Sequence, residues 1–348
     1  MARLLSGTQA VRLGSLSRLV DTRAVRVIAA LAVGLLALAV LSLCLGGRWL
    51  PPVTALRALA GQGTDEDILV VGLLRAPRLV LAALAGGALA LSGHLLQTLV
   101  RNPLASPDIL GMTSGASAAA VAFFAVAGTG TVDMAGLPLA TTAGAWVASA
   151  LVLALAWQKG VTPLRLVLVG VAVSALFGAI TTWLLVASPL ASATASYVWL
   201  TGSVFGATWS DVGSLAMWLV ILLPVLVWAS RRAAVLRADD AVATGVGLPV
   251  TATRLLLMAL SVGLAGAAIA YAGAMAFVGL VAPHIGRRLV GGGFAASAWS
   301  SALVGALLVM LADLAGRMLF APRDLPAGIF VAALGAVFFV FLLSRQRR

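Results

Sequence analysis

Residues 27–46 read VIAALAVGLLALAVLSLCLG, twenty positions without a charged side chain. The hydrocarbon core of a bilayer is about 30 Å thick, and an α-helix needs roughly 20 apolar residues to cross it. In hydrocarbon a backbone N–H has no water to bond, so a spanning segment is either a helix or part of a closed barrel. A barrel strand would be short and alternating. This run is long and unbroken, so it predicts a transmembrane helix. Arg3, Arg12, Arg18, Arg23 and Arg26 precede it, and Gly46-Gly47-Arg48 marks its end. A cleaved secretory signal is the rival reading, but the run is longer than a signal core and the residues after it make a poor cleavage site.

The same pattern recurs along the chain. Apolar runs at 76–99, 111–128, 138–157, 163–187, 213–230, 252–272, 274–290, 297–317 and 327–344 complete ten expected spans. Between Leu255 and Val290 the stretch is long for one span and short for two, with Gly273 and Pro283 as its breaks. Composition agrees: 62% of the 348 residues are hydrophobic and 10% charged, against about a quarter charged in a soluble domain. The expected fold class is all-α, a polytopic membrane protein. A single transmembrane domain, 27–344, lies between a basic N-terminal segment, 1–26, and a basic tail, 345–348.

Basic residues orient such a chain, because Lys and Arg collect in cytoplasmic loops. With the N-terminus inside and ten alternating spans, 17 of the 23 Lys and Arg fall inside and 6 outside. Both termini are then cytoplasmic. The six outer ones are Arg48, Arg57, Arg75, Arg78, Arg317 and Arg323. The net charge of +12 is spread over loops instead of one face, which is not the footprint of a nucleic-acid binder. Trp49, Trp157, Trp209 and Trp228 sit at span ends as interface anchors do, whereas Trp146 and Trp183 fall within runs and suit packing. The longest inner loop is 231–251, and a second long segment, 188–212, lies outside.

Some chemistry is missing. No G-x-x-x-x-G-K-[ST] phosphate loop is present, and the one lysine, Lys159, stands in no such context. His94, His284 and the single cysteine, Cys44, are scattered, so no metal-ligand spacing is formed. Cys44 has no partner for an internal disulfide. Acidic residues are nearly absent from the spans, which argues against an ion- or proton-coupled carrier. Asp313 is the main exception, and Arg317, four residues on, is the partner that helical spacing suggests.

Two blocks, each of three stretches, carry a family pattern. Residues 75–78 read RAPR, 86–97 GGALALSGHLLQ, and 101–116 RNPLASPDILGMTSGA. Residues 277–288 read FVGLVAPHIGRR, 312–317 ADLAGR and 325–329 LPAGI. Weaker matches are WLTG at 199–202 and ATGVGLP at 243–249. In this order the blocks resemble the permease family of ABC importers for iron–siderophore complexes, haem and cobalamin. Three departures stand out: GGGFAA at 291–296 replaces a charged cluster, GAVF at 335–338 lacks a proline, and Asp239 stands where the family has glycine.

The resemblance implies a type II importer permease fold and a multi-pass place in a bacterial cytoplasmic membrane. It implies a ferric-siderophore cargo, with haem or cobalamin as alternatives. It implies these partners: a second permease subunit in a homodimer or heterodimer, two ATP-binding-cassette ATPase subunits, and an extracytoplasmic substrate-binding protein. ATP and Mg would sit on the ATPase, with no cofactor or metal on this chain. Arg75, Arg78 and Arg317 would dock the binding protein, because guanidinium forks pair with carboxylates. Leu236, Asp239, Asp240, Ala243, Gly245, Gly247 and Leu248 would form the ATPase contact. Asn102-Pro103 would end the second span. Gly93 and Gln97, with neighbouring His94, read as helix packing. Pro107, Gly111, Pro283, His284, Asp313, Pro326 and Gly328 belong to the motifs and are expected to be structural.

Overall fold

The computed structural model describes residues 8–13, 16–127, 133–158, 160, 162–291 and 293–346. Arg3, Lys159, Arg347 and Arg348 of the charge count lie outside them. The chain opens on a two-stranded antiparallel ribbon, β1 (Thr8–Leu13) and β2 (Leu16–Asp21), with Thr8 opposite Asp21. Everything after it is helical. Asp21 caps α1 (Thr22–Cys44) by accepting from Arg23 N at 2.8 Å. A short α2 (Pro52–Leu59) comes next. Then α3 (Asp65–Ile68) runs through a π-turn, Leu69–Arg75, into α4 (Ala76–Val100). Pro77 has no N–H to give the preceding turn, and the wider π pattern bypasses the missing bond. The second long helix therefore begins well before residue 76.

A 3₁₀ turn, Pro107–Leu110, leads to α5 (Met112–Ala127). Then come α6 (Leu137–Ala156), α7 (Pro163–Ala187), α8 (Leu190–Leu200), α9 (Trp209–Leu236), α10 (Asp240–Gly245), α11 (Val250–Ala272), α12 (Val278–Val290), α13 (Phe294–Met318) and α14 (Ala327–Gln346). Among the described residues seven helices are long and apolar enough to cross a membrane, and Met112–Ala127 and Ala327–Phe341 are shorter and apolar.

The expected span 274–290 needs correction. Residues 274–277 are not helical. Gly273 and Phe277 both take positive φ, 70° and 65°. Only the 13-residue α12 remains of that span, about 20 Å long at 1.5 Å per residue. That is short of a bilayer, and its irregular entry is sheltered by protein. Gly335 in α14 makes room for Phe277: a Cβ there would lie 2.5 Å from Phe277 Cγ.

α4, α11 and α13 form the centre. Their buried faces intersperse Ala, Gly and Ser among larger apolar side chains, and the small residues let backbones approach closely. Gly86 and Gly305 meet so tightly that a Cβ on either would strike the other's carbonyl. Ser92 and Ser261 trade bonds across α4 and α11, Ser92 Oγ donating to Ser261 O at 2.8 Å and Ser261 Oγ to Ser92 O at 3.0 Å. The rim helices turn large apolar side chains outward: Val33 and Leu36 on α1, Leu164 and Leu168 on α7, Val220 on α9, Val337 on α14. An apolar exterior over a small-residue interior is what lipid as solvent selects. Trp146 and Trp183 are on that exterior too, so the expectation that they pack inside does not hold.

Candidate functional site

The hydrogen bonds define two ends of the bundle. One gathers the C-terminus of α1, the start of α4 and the end of α13. The last carbonyls of a helix lack intrahelical donors, and Arg75 supplies them to α1. Its Nη1 donates to Leu43 O at 2.6 Å and Cys44 O at 3.1 Å, and its Nη2 to Arg48 O at 2.8 Å. Gly46 lies against this guanidinium, where a Cβ would come within 2.6 Å of Nη2. Arg317 reaches the same helix end, donating to Ser42 O at 2.6 Å and to Ser42 Oγ.

Arg78 holds two carboxylates. Its Nε donates to Asp313 Oδ1 at 2.8 Å, and its Nη1 and Nη2 grip Asp324 at 2.5 and 2.8 Å. Its guanidinium also lies 5.6 Å from the Phe205 ring centre. Asp313 thus pairs across helices with Arg78 and not, as spacing suggested, with Arg317. Arg75 and Arg78 are each 8% exposed. The picture of Arg75, Arg78 and Arg317 as free prongs for an acidic partner is not met in this conformation; they bind internal partners and clamp helix ends. The exposed basic residues at this end are Arg57 and Arg323, with Arg48, which pairs with Glu66 at 3.1 Å. Sequence reading placed them on this side but gave them no role, because no motif contains them.

The opposite end is organised by Asp240, on α10. Its carboxylate accepts from Arg101 at the end of α4 and from Arg254 Nη2 on α11 at 2.9 Å. Arg101 Nε also donates to Leu236 O at 3.1 Å. Burial pushes the Asp240 carboxyl up, but the hydrogen bonds and charges of Arg101 and Arg254 outweigh it and hold it below the usual carboxylate range. Ala243 is buried against the bundle, and Leu248 N closes the loop on Ala243 O at 3.0 Å. Gly247 takes φ +79° in that turn. Asp239, Gly245, Val242 and Val246 point outward. A short helix pinned on one side and apolar on the other is a surface for a partner.

A group whose pKa is lowered by folding stabilises above its unfolded value and ceases to do so as pH falls through the folded one. Asp240→Asn should therefore reproduce at neutral pH the loosening of α10 that acid produces in the native chain. Asp240 is 44% exposed, so each of its pairs is worth about 1 kcal/mol at most. Faster amide exchange over 237–249 with little change in global unfolding is the expected result, and unchanged exchange would rule the anchor out.

The motif blocks meet at two junctions. Near the middle of the chain's packing, Gly93 of α4 sits on Gly279 of α12, so that a Cβ at Gly93 would be driven into the Gly279 carbonyl. Gln97 Nε2 reaches the carbonyls of Gly279 and Leu280 at 3.4 and 3.3 Å. Pro107 packs on the same glycine, with its Cδ 2.7 Å from where a Gly279 Cβ would stand. Asn102 Oδ1 accepts from Leu104 N at 2.9 Å to turn the chain after α4, and Gly111 ends the 3₁₀ turn at φ +71°. Pro283 lies inside α12, and the His284 ring meets Phe338 edge-on at 5.7 Å. At the other junction Gly328 N donates to Gly202 O at 2.9 Å, Ser203 N to Ala272 O at 2.9 Å, and Gly273 abuts Trp199 O. Pro326 leads into α14 there, its carbonyl accepting from Ile329 N at 3.2 Å. Residues about 70 to 190 positions apart are thus brought together at their backbones, which is why so many are glycine. Among the described residues no group of three or more His, Cys, Asp or Glu could hold a metal ion.

Comparison with known proteins fits this arrangement. The profile described as the FecCD transport family matches residues 34–345. The chain is 53% identical to the achromobactin transport system permease protein CbrC of Dickeya dadantii (strain 3937), covering 97% of this chain and 96% of that protein. It is 37% identical to the ferric enterobactin transport system permease protein FepG of Escherichia coli (strain K12), covering 84% and 87%. Among solved structures, a metal-chelate type ABC transporter in an inward-facing conformation superposes with a TM-score of 0.83 at 28% identity, covering 92% and 99%.

Proposed function

We propose, from the premise that the chain belongs to the FecCD transport family, that it is the membrane-spanning permease subunit of an ABC importer and passes a ferric siderophore complex into the cell. The observation that carries the reading is near-full-length identity to the achromobactin permease, on a fold whose motif blocks form two backbone junctions across the bundle. The chain works as one of two permease subunits. A separate ATPase pair, carrying ATP and Mg, meets it at the Asp240 end, and an extracytoplasmic binding protein delivers cargo at the Arg78 end. It is no enzyme itself. Ten membrane-crossing or membrane-embedded helices, with both termini in the cytoplasm, suit this arrangement in a bacterial inner membrane. Leu236, Asp239, Asp240, Ala243, Gly245, Gly247 and Leu248 form or support the ATPase contact, with Val242 and Val246 as its apolar face. Binding-protein contacts fall to Arg48, Arg57 and Arg323, while Arg75, Arg78 and Arg317 shape the surface beneath.

The test is reconstitution. In proteoliposomes holding the chain with its ATPase and binding protein, ferric achromobactin should be taken up only when ATP is supplied on the ATPase side. Uptake without ATPase, driven by a proton gradient alone, would overturn the reading.

A further inference from the structure

Two cavities run together between the first turns of α1, the last turns of α9 and the start of α13. One, of 510 Å³, has Asp21, Val25, Ile28, Arg231 and Trp299 among its walls. The other, of 100 Å³, reaches further into the bundle, to Leu91, Leu223 and Leu226. Ser230, Phe294, Ala295 and Trp299 line both. From Arg231 to Leu223 the groove follows α9 for about 12 Å, at 1.5 Å per residue. It opens sideways past Val25, Val227 and Trp299, which are 51%, 57% and 48% exposed.

An apolar slot that is polar at one end only has the form of an acyl chain under its headgroup, and a protein helix, about 10 Å across, is too thick for the deeper part. The acyl chain by itself selects no lipid, because hydrocarbon gains little by leaving hydrocarbon. Selection falls to the mouth. Its described walls hold one carboxylate, Asp21, and one guanidinium, Arg231. Both are exposed, and neither is in an ion pair among the described residues. Asp21 caps α1 through Oδ1, which accepts from Arg23 N and Ala24 N, and this leaves Oδ2 over. Neighbouring arginines are turned elsewhere. Arg26 Nε donates to Thr22 O at 3.4 Å, and the Arg232 guanidinium lies 4.1 Å over the Trp228 ring. The mouth is therefore balanced in charge, with one group of each sign to offer.

We propose that this groove holds one phosphatidylethanolamine molecule, with its phosphate on Arg231, its ammonium on Asp21 and one acyl chain between α4, α9 and α13. A guanidinium fork matches phosphate oxygens, and a primary ammonium brings three N–H donors to a carboxylate. A choline headgroup carries the same charges but no N–H, and a glycerol headgroup has no positive charge. Trp299 flanks the mouth as an interface anchor. Bound so, the lipid ties the start of α1 to the end of α9, the helix that leads into α10. The site rests on the chain's lying in a bilayer and not on its cargo or its ATPase.

The full chain in detergent, stripped of lipid and titrated under native mass spectrometry, should bind phosphatidylethanolamine about fivefold more tightly than phosphatidylcholine of the same acyl chains, the most an exposed ion pair supplies. Asp21→Asn is the informative variant. Asparagine caps a helix as well as aspartate does, so the start of α1 is kept while the charge goes, and the preference should vanish. Arg231→Gln should weaken both lipids alike, because both carry the phosphate. No preference in the wild type, a preference unchanged by Asp21→Asn, or affinities unchanged by Arg231→Gln would overturn the proposal. Tighter binding of phosphatidylglycerol would make the mouth an anion site and overturn it as well. So would disulfide linkage of two copies through Val227→Cys, which would show that a second chain covers the groove.

Discussion

Replacing Arg78 by Met should lower the stability of the chain by about 3–5 kcal/mol, the usual loss when one partner of a buried ion pair is removed. The size comes from what is left behind. Asp313 is 3% exposed and takes its hydrogen bonds from Arg78. Without the guanidinium it loses its hydrogen bonds and keeps only the more distant charge of Arg317, as a buried carboxylate or, once protonated, an unmatched acid. Asp324 is more exposed and can turn to water. Adding Asp313→Leu to Arg78→Met should therefore recover most of the loss, because removing both members of a pair is far milder than removing one. Unfolding in mixed micelles of mild and denaturing detergent reads both variants. A drop no larger than about 1 kcal/mol, the worth of an exposed pair, would show that the cluster is hydrated and the argument wrong.

The second large effect is expected from a single methyl group. Gly93→Ala places a Cβ against the backbone of Gly279, and a carbonyl cannot swing aside as a side-chain tip can. α12 must move away from α4, carrying the Gln97 contacts and the Pro107 packing with it. The expected cost is about 3 kcal/mol, the upper end for overpacking, together with loss of ATP-driven uptake even where the variant inserts. Gly34→Ala is the control. That glycine has nothing within 4 Å of a new Cβ, and alanine is the better helix former by about 1 kcal/mol. If both variants behaved alike, close approach at Gly93 would not be what the sequence preserves room for.

The fold was readable wherever hydrophobic length and boundary signals coincide. The span at 163–187 matches α7 end for end, because Pro163 opens it and Ser188-Pro189 closes it. It failed where a boundary depends on tertiary packing. The break before α12 rests on Phe277 at positive φ, tolerated because Gly335 yields space from another helix. α8 went unnoticed because its Ala, Ser and Thr residues carry little periodic signal. Motif spacing led to Gly93, Gln97 and Pro107 but could not reveal that Gly279 joins them. The outer arginines were found as exceptions to charge bias. Their partners were not, since Asp324 looks like an ordinary loop residue and lies 246 positions from Arg78.

The chain has one thiol, and it is sealed into the clamp made by Arg75. Cys44 is 1% exposed, and its carbonyl is one of the three that Arg75 holds. A maleimide in the bath meets sulfur only when that corner comes apart, so alkylation kinetics time its opening without any engineered probe. While that corner stays closed, dyes or spin labels attached to cysteines placed on α10 or α2 report those positions over a low native background.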